Sequence, residues 1–129
     1  MQTKLGRAVI LVDDYDKAFA FYEKNFFCKK IHDSTANGQR YLHIAFSDNE
    51  GIGVLFLKAD DPQKEKIGTQ TAGQPTLVIY TDTIEKLYKH IQSNQVRVVE
   101  NMVSTAESKF FQCLDLYGNR LTIVELAHE

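Results

Sequence analysis

The stretch TLVIYTDTIEKLYKHIQSN, residues 76–94, joins a strand pattern directly to a helix pattern. Its first residues are rich in β-branched side chains and predict a strand. Asp82 follows as the expected N-cap, and Glu85 stands three residues later, as the acid of a capping box does. Apolar residues then recur at the spacing of one helical face, at Ile84, Leu87, Tyr88 and Ile91. The segment predicts a strand followed by an amphipathic helix.

An earlier segment repeats this pattern about 69 residues upstream. The strand-like GRAVILVDD (6–14) leads into DYDKAFAFYEKNF (14–26), in which Asp13 is the expected N-cap. Ala18, Phe19 and Tyr22 fall on one helical face. The corresponding pairs are Asp13 with Asp82, Asp16 with Glu85, Phe19 with Tyr88, and Tyr22 with Ile91. Accidental similarity between two ordinary α+β segments is the alternative to a true repeat.

Three further strand patterns follow each helix. They are KKIHDS, RYLHIAFS and IGVLFLKA in the first half, and VRVVEN, SKFFQCLD and NRLTIVEL in the second. The polar segment 59–75 contains both prolines and predicts a linker. The chain is therefore expected to be a single α+β domain over residues 1–129, with two βαβββ modules at about 4–59 and 75–127 joined by a linker at about 60–74. Their strands would form a curved mixed sheet around a central cup.

Composition restricts the function classes. The chain has 129 residues, 43% hydrophobic and 25% charged residues, and a net charge of −2. No basic stripe indicates nucleic acid binding, and no apolar run has the length of a membrane span. The sequence begins without the pattern of a signal peptide, so we expect a cytoplasmic protein. Cys28 and Cys113 lie among apolar neighbours, which favours buried free thiols over a disulfide.

The segment VDDYDKAFAFYEKNFFCKK, residues 12–30, resembles the first strand–helix signature of the vicinal oxygen chelate superfamily, with Phe21-Tyr22 in the second half of the helix. This superfamily includes glyoxalase I, extradiol dioxygenases and bleomycin-resistance proteins. The segment from Asp115 to Ile123 resembles its closing motif, an acidic residue, a Gly-Asn turn and then Ile-Glu-Leu. We expect Gly118 and Asn119 to adopt positive φ, and Asp115 to accept hydrogen bonds from the turn.

The resemblance implies four metal-ligand positions, which metal-dependent members fill with His, Glu or Gln. In this sequence they correspond to Arg7, Phe56, Thr76 and Thr122. Arginine and phenylalanine offer no lone pair to a metal, and threonine is not a usual ligand of Zn²⁺, Fe²⁺ or Mn²⁺. Glu125 lies an odd number of residues from Thr122, so it should point to the opposite face of the strand. We therefore expect no metal and no other cofactor.

The alternation of the strands predicts which side chains line the cup. His43 should face it together with Tyr41 and Ala45, opposite Phe56 if the DNEG loop pairs Ser47 with Ile52. His43 is either a structural histidine or a group that forms hydrogen bonds to a ligand or acts as an acid or base. The other histidines are weaker candidates for a functional role: His32 after a strand end, His90 on the second helix and His128 in the terminal tail. The expected ligand-binding residues are Arg7, Val9, His43, Phe56, Thr76, Tyr80, Phe110, Gln112 and Thr122, with Leu11 and Val78 beside them. Facing the helices instead should be Ala8, Ile10, Leu77, Ile79, Phe111, Cys113, Leu121 and Ile123.

Three functions are consistent with these patterns. The first is a metal-free module that binds a neutral or anionic small molecule in an apolar cup. In it, Arg7 would bind a carboxylate or phosphate of the ligand; the alternative role of Arg7 is a salt bridge at the strand end. The second is a metal-dependent lyase, dioxygenase or thiol transferase of the glyoxalase type. The third is a structural or regulatory partner domain. The resemblance also implies a homodimer, for which Phe26, Phe27 and Phe110 are candidate interface residues unless they are buried within one chain.

Overall fold

The computed structural model describes residues 1–48 and 51–127, and the chain divides into two compact units, residues 1–67 and residues 68 onward. His128 and the middle of the DNEG loop lie outside the described residues. The first unit comprises β1 (Arg7–Val12), α1 (Tyr15–Phe26), β2 (Lys29–Ala36), β3 (Gln39–Ala45) and β4 (Gly53–Lys58). The second comprises β5 (Pro75–Tyr80), α2 (Ile84–Ser93), β6 (Val98–Ser104), β7 (Ser108–Leu114) and β8 (Arg120–Leu126). A 3₁₀ turn, Gln63–Lys66, lies in the expected linker.

The two units have the same topology. Their sheets have the strand orders β1-β4-β3-β2 and β5-β8-β7-β6. In each unit the first strand pairs in parallel with the last, and the other neighbours are antiparallel. The helices begin at Tyr15 and Ile84, which stand at the same spacing as the sequence repeat. The predicted α+β fold of two βαβββ modules is thus confirmed.

In the first unit, α1 covers one face of the sheet. Tyr22 is 1% exposed, and its ring centroid lies 5.7 Å from that of Phe56 and 6.0 Å from that of Phe26. Phe26 is itself buried at 6% exposure, so burial within one chain accounts for it, whereas Phe27 is 63% exposed. Alternate residues of the strands complete this core: Ile10, Val12, Leu42, Ile44 and Val54.

In the second unit, α2 packs in the same way. Ile84 and Ile91 are fully buried, and the ring of Tyr88 lies 4.7 Å from that of Phe111. The sheet contributes Phe111, Cys113, Leu121 and Ile123, all fully buried as the alternation predicts. In both units the helix therefore covers only one face of a four-stranded sheet.

The helix starts differ from the sequence prediction. Asp14, not Asp13, is the N-cap of α1, because Asp14 has extended backbone angles and its Oδ1 accepts hydrogen bonds from the N–H groups of Asp16 and Lys17, each at 3.0 Å. The N-cap of α2 is Thr83 rather than Asp82, and Thr83 makes no capping hydrogen bond with its side chain. The Ile84 N–H instead donates to Oε1 of Glu125 at 3.0 Å. Glu125 thus lies on the helix side of the sheet, away from Thr122 as predicted.

The turn before β8 is built around Asp115. Its Oδ1 accepts from the N–H groups of Tyr117 and Asn119, and its Oδ2 accepts from Nδ2 of Asn119, all at 2.9 Å. Gly118 has φ of 94°, as predicted. Asn119 is not among the residues with positive φ, contrary to prediction. It is buried at 1% exposure, and both its backbone N–H and its side-chain amide donate to Asp115.

Both cysteines are free and buried, as expected. Burial raises the pKa of the Cys28 thiol to about 12, and burial followed by the Asp115 carboxylate raises the pKa of Cys113 to about 12. These thiols are therefore protonated and unreactive at neutral pH. Within the described residues, no helix has the length and apolarity to cross a membrane.

Candidate functional site

Each sheet has one face that its helix does not cover, which we call the open face. In the first unit, the strand register aligns Val9, Leu55, His43 and His32 in one row across the four strands. In the second unit the corresponding row is Val78, Thr122, Gln112 and Glu100. The two rows occupy equivalent positions of the repeat, so each unit presents its own candidate surface, and the two surfaces are described separately.

Two of the predicted placements on β4 are wrong. Phe56 is fully buried against Tyr22, so it faces α1 and does not line the open face. His43 is paired with Leu55, and Phe56 is paired with Leu42. The register differs by one residue from the predicted one, and a shift of one residue moves every side chain of a strand to the other face. Leu55 therefore occupies the open-face position equivalent to Thr122.

Arg7 and the histidines form a basic cluster on the open face of the first unit. Arg7 Nε donates to Nδ1 of His43 at 3.1 Å, and its Nη1 donates to the carbonyl oxygen of Gly6 at 2.6 Å. The ring of His32 lies 5.0 Å from that of His43, and His32 Nε2 lies 2.8 Å from Oγ of Ser34. His32 lies inside β2, not after its end as predicted.

Gly53 makes room for the Arg7 side chain. A Cβ at this position would lie 3.3 Å from Cδ of Arg7 and from Cδ1 of Ile31, and 2.6 Å from the backbone oxygen of Ile44. Any larger residue would therefore displace Arg7 or the neighbouring strand. Gly53 is the register partner of Arg7, and β4 lies between β1 and β3. The Arg7 side chain therefore passes over Gly53 to reach His43 on β3.

The cluster keeps His43 neutral. Burial, followed by the charges of Arg7 and His32, lowers the pKa of His43 below its usual value. A neutral imidazole that accepts at Nδ1 has its proton on Nε2, so His43 offers an N–H donor to a bound group. No carboxylate among residues 1–48 and 51–127 forms an ion pair with Arg7. This result excludes, for the described residues, the strand-end salt bridge that was the alternative role of Arg7.

The open face of the second unit has a polar network of its own. Gln112 Nε2 donates to Oγ1 of Thr122 at 3.0 Å, and Arg120 Nη1 donates to Oε1 of Gln112 at 2.7 Å. Arg120 Nε also donates to the carbonyl oxygen of Gly73 at 3.2 Å. The hydroxyl groups of Thr76 and Thr71 lie 2.8 Å apart. The amide of Gln112 is thus oriented by its neighbours, since it donates to one of them and accepts from another.

Apolar side chains lie beside both polar clusters. Val9 is 39% exposed in the first unit, and Val78 and Tyr80 are 55% and 68% exposed in the second. Phe110 is half-buried and pairs with Val124 on the same face. A cavity of about 460 Å³ at the ends of β5 and β8 is lined by Tyr80, Thr81, Asp82, Glu125, Leu126 and Ala127. These surfaces combine apolar area with a few oriented polar groups, as small-molecule sites do.

The four positions that correspond to the metal ligands of the resembled superfamily hold no suitable donor. The positions concerned are Arg7 and Leu55 in the first unit and Thr76 and Thr122 in the second. None supplies a histidine nitrogen, a carboxylate or a thiolate. No group of three or more His, Cys, Asp or Glu side chains within the described residues is arranged to hold an ion. The donor set does not fit a divalent metal.

The strand register gives the face of most of the predicted site residues. Arg7, Val9 and His43 share the open face of the first unit, and Tyr80, Phe110, Gln112 and Thr122 share that of the second, whereas Thr76 lies in an irregularity of the β5–β8 pairing. Their role in binding stays a prediction. Sequence reasoning missed Leu55, His32 and Arg120. The repeat contained a signal for Leu55, because aligning GVLFLK with RLTIVE on their buried residues pairs Leu55 with Thr122.

Comparisons with known proteins agree with this architecture. The family model of the Glyoxalase/Bleomycin resistance protein/Dioxygenase superfamily matches residues 4–123. No curated protein sequence matches the chain. Among solved structures, UcmS2 is similar with a TM-score of 0.82 at 20% identity, covering 96% of this chain and 98% of that one.

Two further solved structures are similar. The first is TnmS3, an antibiotic binding protein from Streptomyces sp. CB03234, with a TM-score of 0.80 at 17% identity and coverage of 98% of both chains. The second, a superfamily member from Sphaerobacter thermophilus DSM 20745, has a TM-score of 0.76 at 18% identity and covers 96% of this chain and 98% of that one. At these identities the structures establish the fold, and the family model establishes membership. The chain belongs to the Glyoxalase/Bleomycin resistance protein/Dioxygenase superfamily.

Proposed function

We propose that this protein is a metal-independent small-molecule-binding module of its superfamily. The observation that supports the proposal is the composition of the open faces. Exposed apolar side chains, Val9, Val78 and Tyr80, lie beside arginines and oriented hydrogen-bonding groups, while the positions of the family's metal ligands hold no suitable donor. Such a surface can bind an organic molecule by apolar contact and orient it with a few polar groups.

The charges of the open faces favour a neutral or anionic ligand. In the first unit the register places Arg7, His43 and His32 on this face, while Asp33 points to the helix side and binds Arg40 at 2.8 Å. In the second unit the register brings Glu100 beside Gln112, and Arg120 contributes a positive charge. Similarity to TnmS3, which is an antibiotic binding protein, supports an organic ligand. A cationic drug would meet mostly positive charge in the first unit.

Binding can be tested by thermal shift against a panel of antibiotics and aromatic acids. A ligand that binds only the folded protein raises the melting temperature once its concentration exceeds its Kd. Replacing Val78 with serine should weaken binding of a hit, because Val78 is 55% exposed on the open face. The matched control is Leu116→Ser, which changes a side chain of 48% exposure in the turn before β8. Equal effects of the two substitutions would contradict the proposed location.

The alternative is a metal-dependent lyase, dioxygenase or thiol transferase, and metal analysis separates the two. We expect the purified protein to contain no stoichiometric metal and to show no saturable thermal shift with Ni²⁺, Zn²⁺, Mn²⁺ or Fe²⁺. Threonine, leucine and arginine provide no ligand set for these ions. A stoichiometric ion, or a saturable stabilisation that a chelator abolishes, would support the enzyme instead.

We further propose a homodimer in the cytoplasm. The large exposed apolar side chains of both units, including Phe27 at 63% and Tyr80 at 68%, are suited to cover by a second copy of the chain. Two buried free thiols are compatible with a reducing compartment. Size-exclusion chromatography with light scattering tests the dimer, and a single species of 14.7 kDa would contradict it.

A further inference from the structure

The open face of the first unit contains a positive charge that no described carboxylate balances. Arg7 donates to two neutral acceptors, the imidazole of His43 and the carbonyl oxygen of Gly6. A guanidinium has five N–H groups, so three remain for other partners, including both on Nη2. An arginine so placed can bind both oxygens of a carboxylate.

The neighbours of Arg7 strengthen this preference. His43 accepts from Arg7 through Nδ1 and therefore has a donor at Nε2, and His32 adds a second imidazole with its ring 5.0 Å away. None of the open-face positions that the register gives for β1 to β4 is acidic: Arg7, Val9, Leu11, Lys29, His32, Ser34, Ala36, Gln39, Tyr41, His43, Ala45, Gly53, Leu55 and Leu57. The charge of Lys29 is balanced by Asp48, whose Oδ1 lies 2.6 Å from Nζ of Lys29. The described part of this surface thus contains hydrogen-bond donors and positive charge without a competing internal anion.

Apolar groups lie next to the cluster. Val9 is 39% exposed and belongs to the same row as His43, through Leu55. Ile31 is 47% exposed, and its Cδ1 lies close to the same point above Gly53 as Cδ of Arg7. A ligand that satisfied both kinds of neighbour would have an acidic group and an apolar body.

We propose that Arg7, His43 and His32 form a subsite for the carboxylate of an apolar organic acid. This inference rests on the proposed small-molecule-binding function and specifies its ligand class. Arg7 binds the carboxylate oxygens with its remaining N–H groups, and His43 donates through Nε2. Arg7 and His43 are positioned for this by their mutual hydrogen bond and by the space above Gly53. Val9, Leu55 and Ile31 contact the apolar body of the ligand.

The test compares 2-naphthoate with its neutral amide, 2-naphthamide, on the full chain. Nuclear magnetic resonance of backbone amides, histidine ring nitrogens and arginine Nε groups gives both the affinity and the residues affected. We expect the acid to bind about tenfold more tightly than the amide, the size of one charge-assisted hydrogen bond, with shifts at His43 and Arg7. Arg7→Gln should reduce this ratio to about one, because it removes the charge that distinguishes the acid from the amide. Arg97→Gln is the matched control, because Arg97 is exposed and lies in the second unit.

The outcomes separate the two proposals. Equal binding of acid and amide, or acid binding without shifts at Arg7 and His43, would overturn the carboxylate subsite and leave the binding function standing. Saturable binding of neither compound would overturn the subsite, whereas hits among other compounds of the panel would still support the binding function. Arg7→Lys keeps the charge but loses the two-pronged geometry, so it should retain only part of the preference. A full preference in Arg7→Lys would also count against the subsite.

Discussion

The start of α2 offers a direct test of how this helix is stabilised. The Ile84 N–H is one of the first donors of the helix and has no intrahelical acceptor. Glu125 Oε1 accepts it at 3.0 Å, while the N-cap Thr83 makes no capping hydrogen bond. Glu125 therefore acts as a cap that comes from β8, 41 residues away.

Replacing Glu125 with alanine should cost about 1–2 kcal/mol of the free energy of unfolding. Loss of a capping acceptor typically costs about 1 kcal/mol, and a negative charge at a helix N-terminus adds about 0.3–1 kcal/mol. Glu125→Gln keeps an acceptor oxygen and loses only the charge, so its cost should be about 0.3–1 kcal/mol. Asp14→Ala removes two capping bonds from α1 and serves as a positive control of about 1–2 kcal/mol.

The matched control is Asp82→Ala. Asp82 is exposed and makes no hydrogen bond within the described part of the chain, so its replacement should change stability by less than about 0.5 kcal/mol. Urea denaturation followed by circular dichroism gives the free energies. Hydrogen exchange at the Ile84 amide gives the local effect, and a loss of about 1.4 kcal/mol corresponds to about tenfold faster exchange. If Glu125→Ala left the free energy of unfolding unchanged while Asp82→Ala lowered it, this account would be refuted. The capping box predicted from the sequence would then be supported.

Three further outcomes follow from the structure. Asp115→Ala should lower the free energy of unfolding by about 2–4 kcal/mol, because two N–H donors of the buried Asn119 lose their acceptors. Asp115→Asn keeps one acceptor oxygen and should cost less. Urea denaturation measures both free energies. Phe56→Ala should cost about 3–5 kcal/mol without changing the preference for acid over amide, whereas Leu55→Ala should cost less and weaken binding of both compounds. The pKa of His43 is lowered in the folded protein from its usual value of 6.5, first by burial and then by the charges of Arg7 and His32, so its contribution to stability is present above about pH 6.5 and is lost as the pH falls below that value through the lower folded pKa. His43→Gln should reduce the pH dependence of the melting temperature below about pH 6.5, and an unchanged dependence would show that His43 does not titrate as described.

The repeat and the strands were predictable because their signals are local. β3 alternates strictly between apolar and mixed residues, so the open-face position of His43 could be read from its neighbours. The sequence GVLFLK of β4 is apolar at four successive positions, so alternation does not distinguish its two faces. The position of Phe56 therefore depended on the register with β3, which the loop between the strands leaves open.

The caps show a second limit of local patterns. Two adjacent acids, Asp13 and Asp14, both precede α1, and only the backbone conformation decides that Asp14 accepts the N–H groups of the first turn. For α2 the acceptor is Glu125, which no capping pattern within one segment includes. The spacing of residues along the chain can therefore predict a cap only when the capping residue lies in the segment next to the helix.

By itself, the sequence determined the fold class, the repeat, the buried thiols and the unsuitability of the metal-ligand positions, because periodicity and residue chemistry are properties of short segments. Tertiary structure alone decided which residues meet on the open faces. The hydrogen bond from Arg7 to His43, the pairing of His43 with His32, and the binding of Gln112 by Arg120 all join different strands or strand ends. Such contacts depend on strand register, and register is set by the packing of the whole sheet against its helix, not by any one segment.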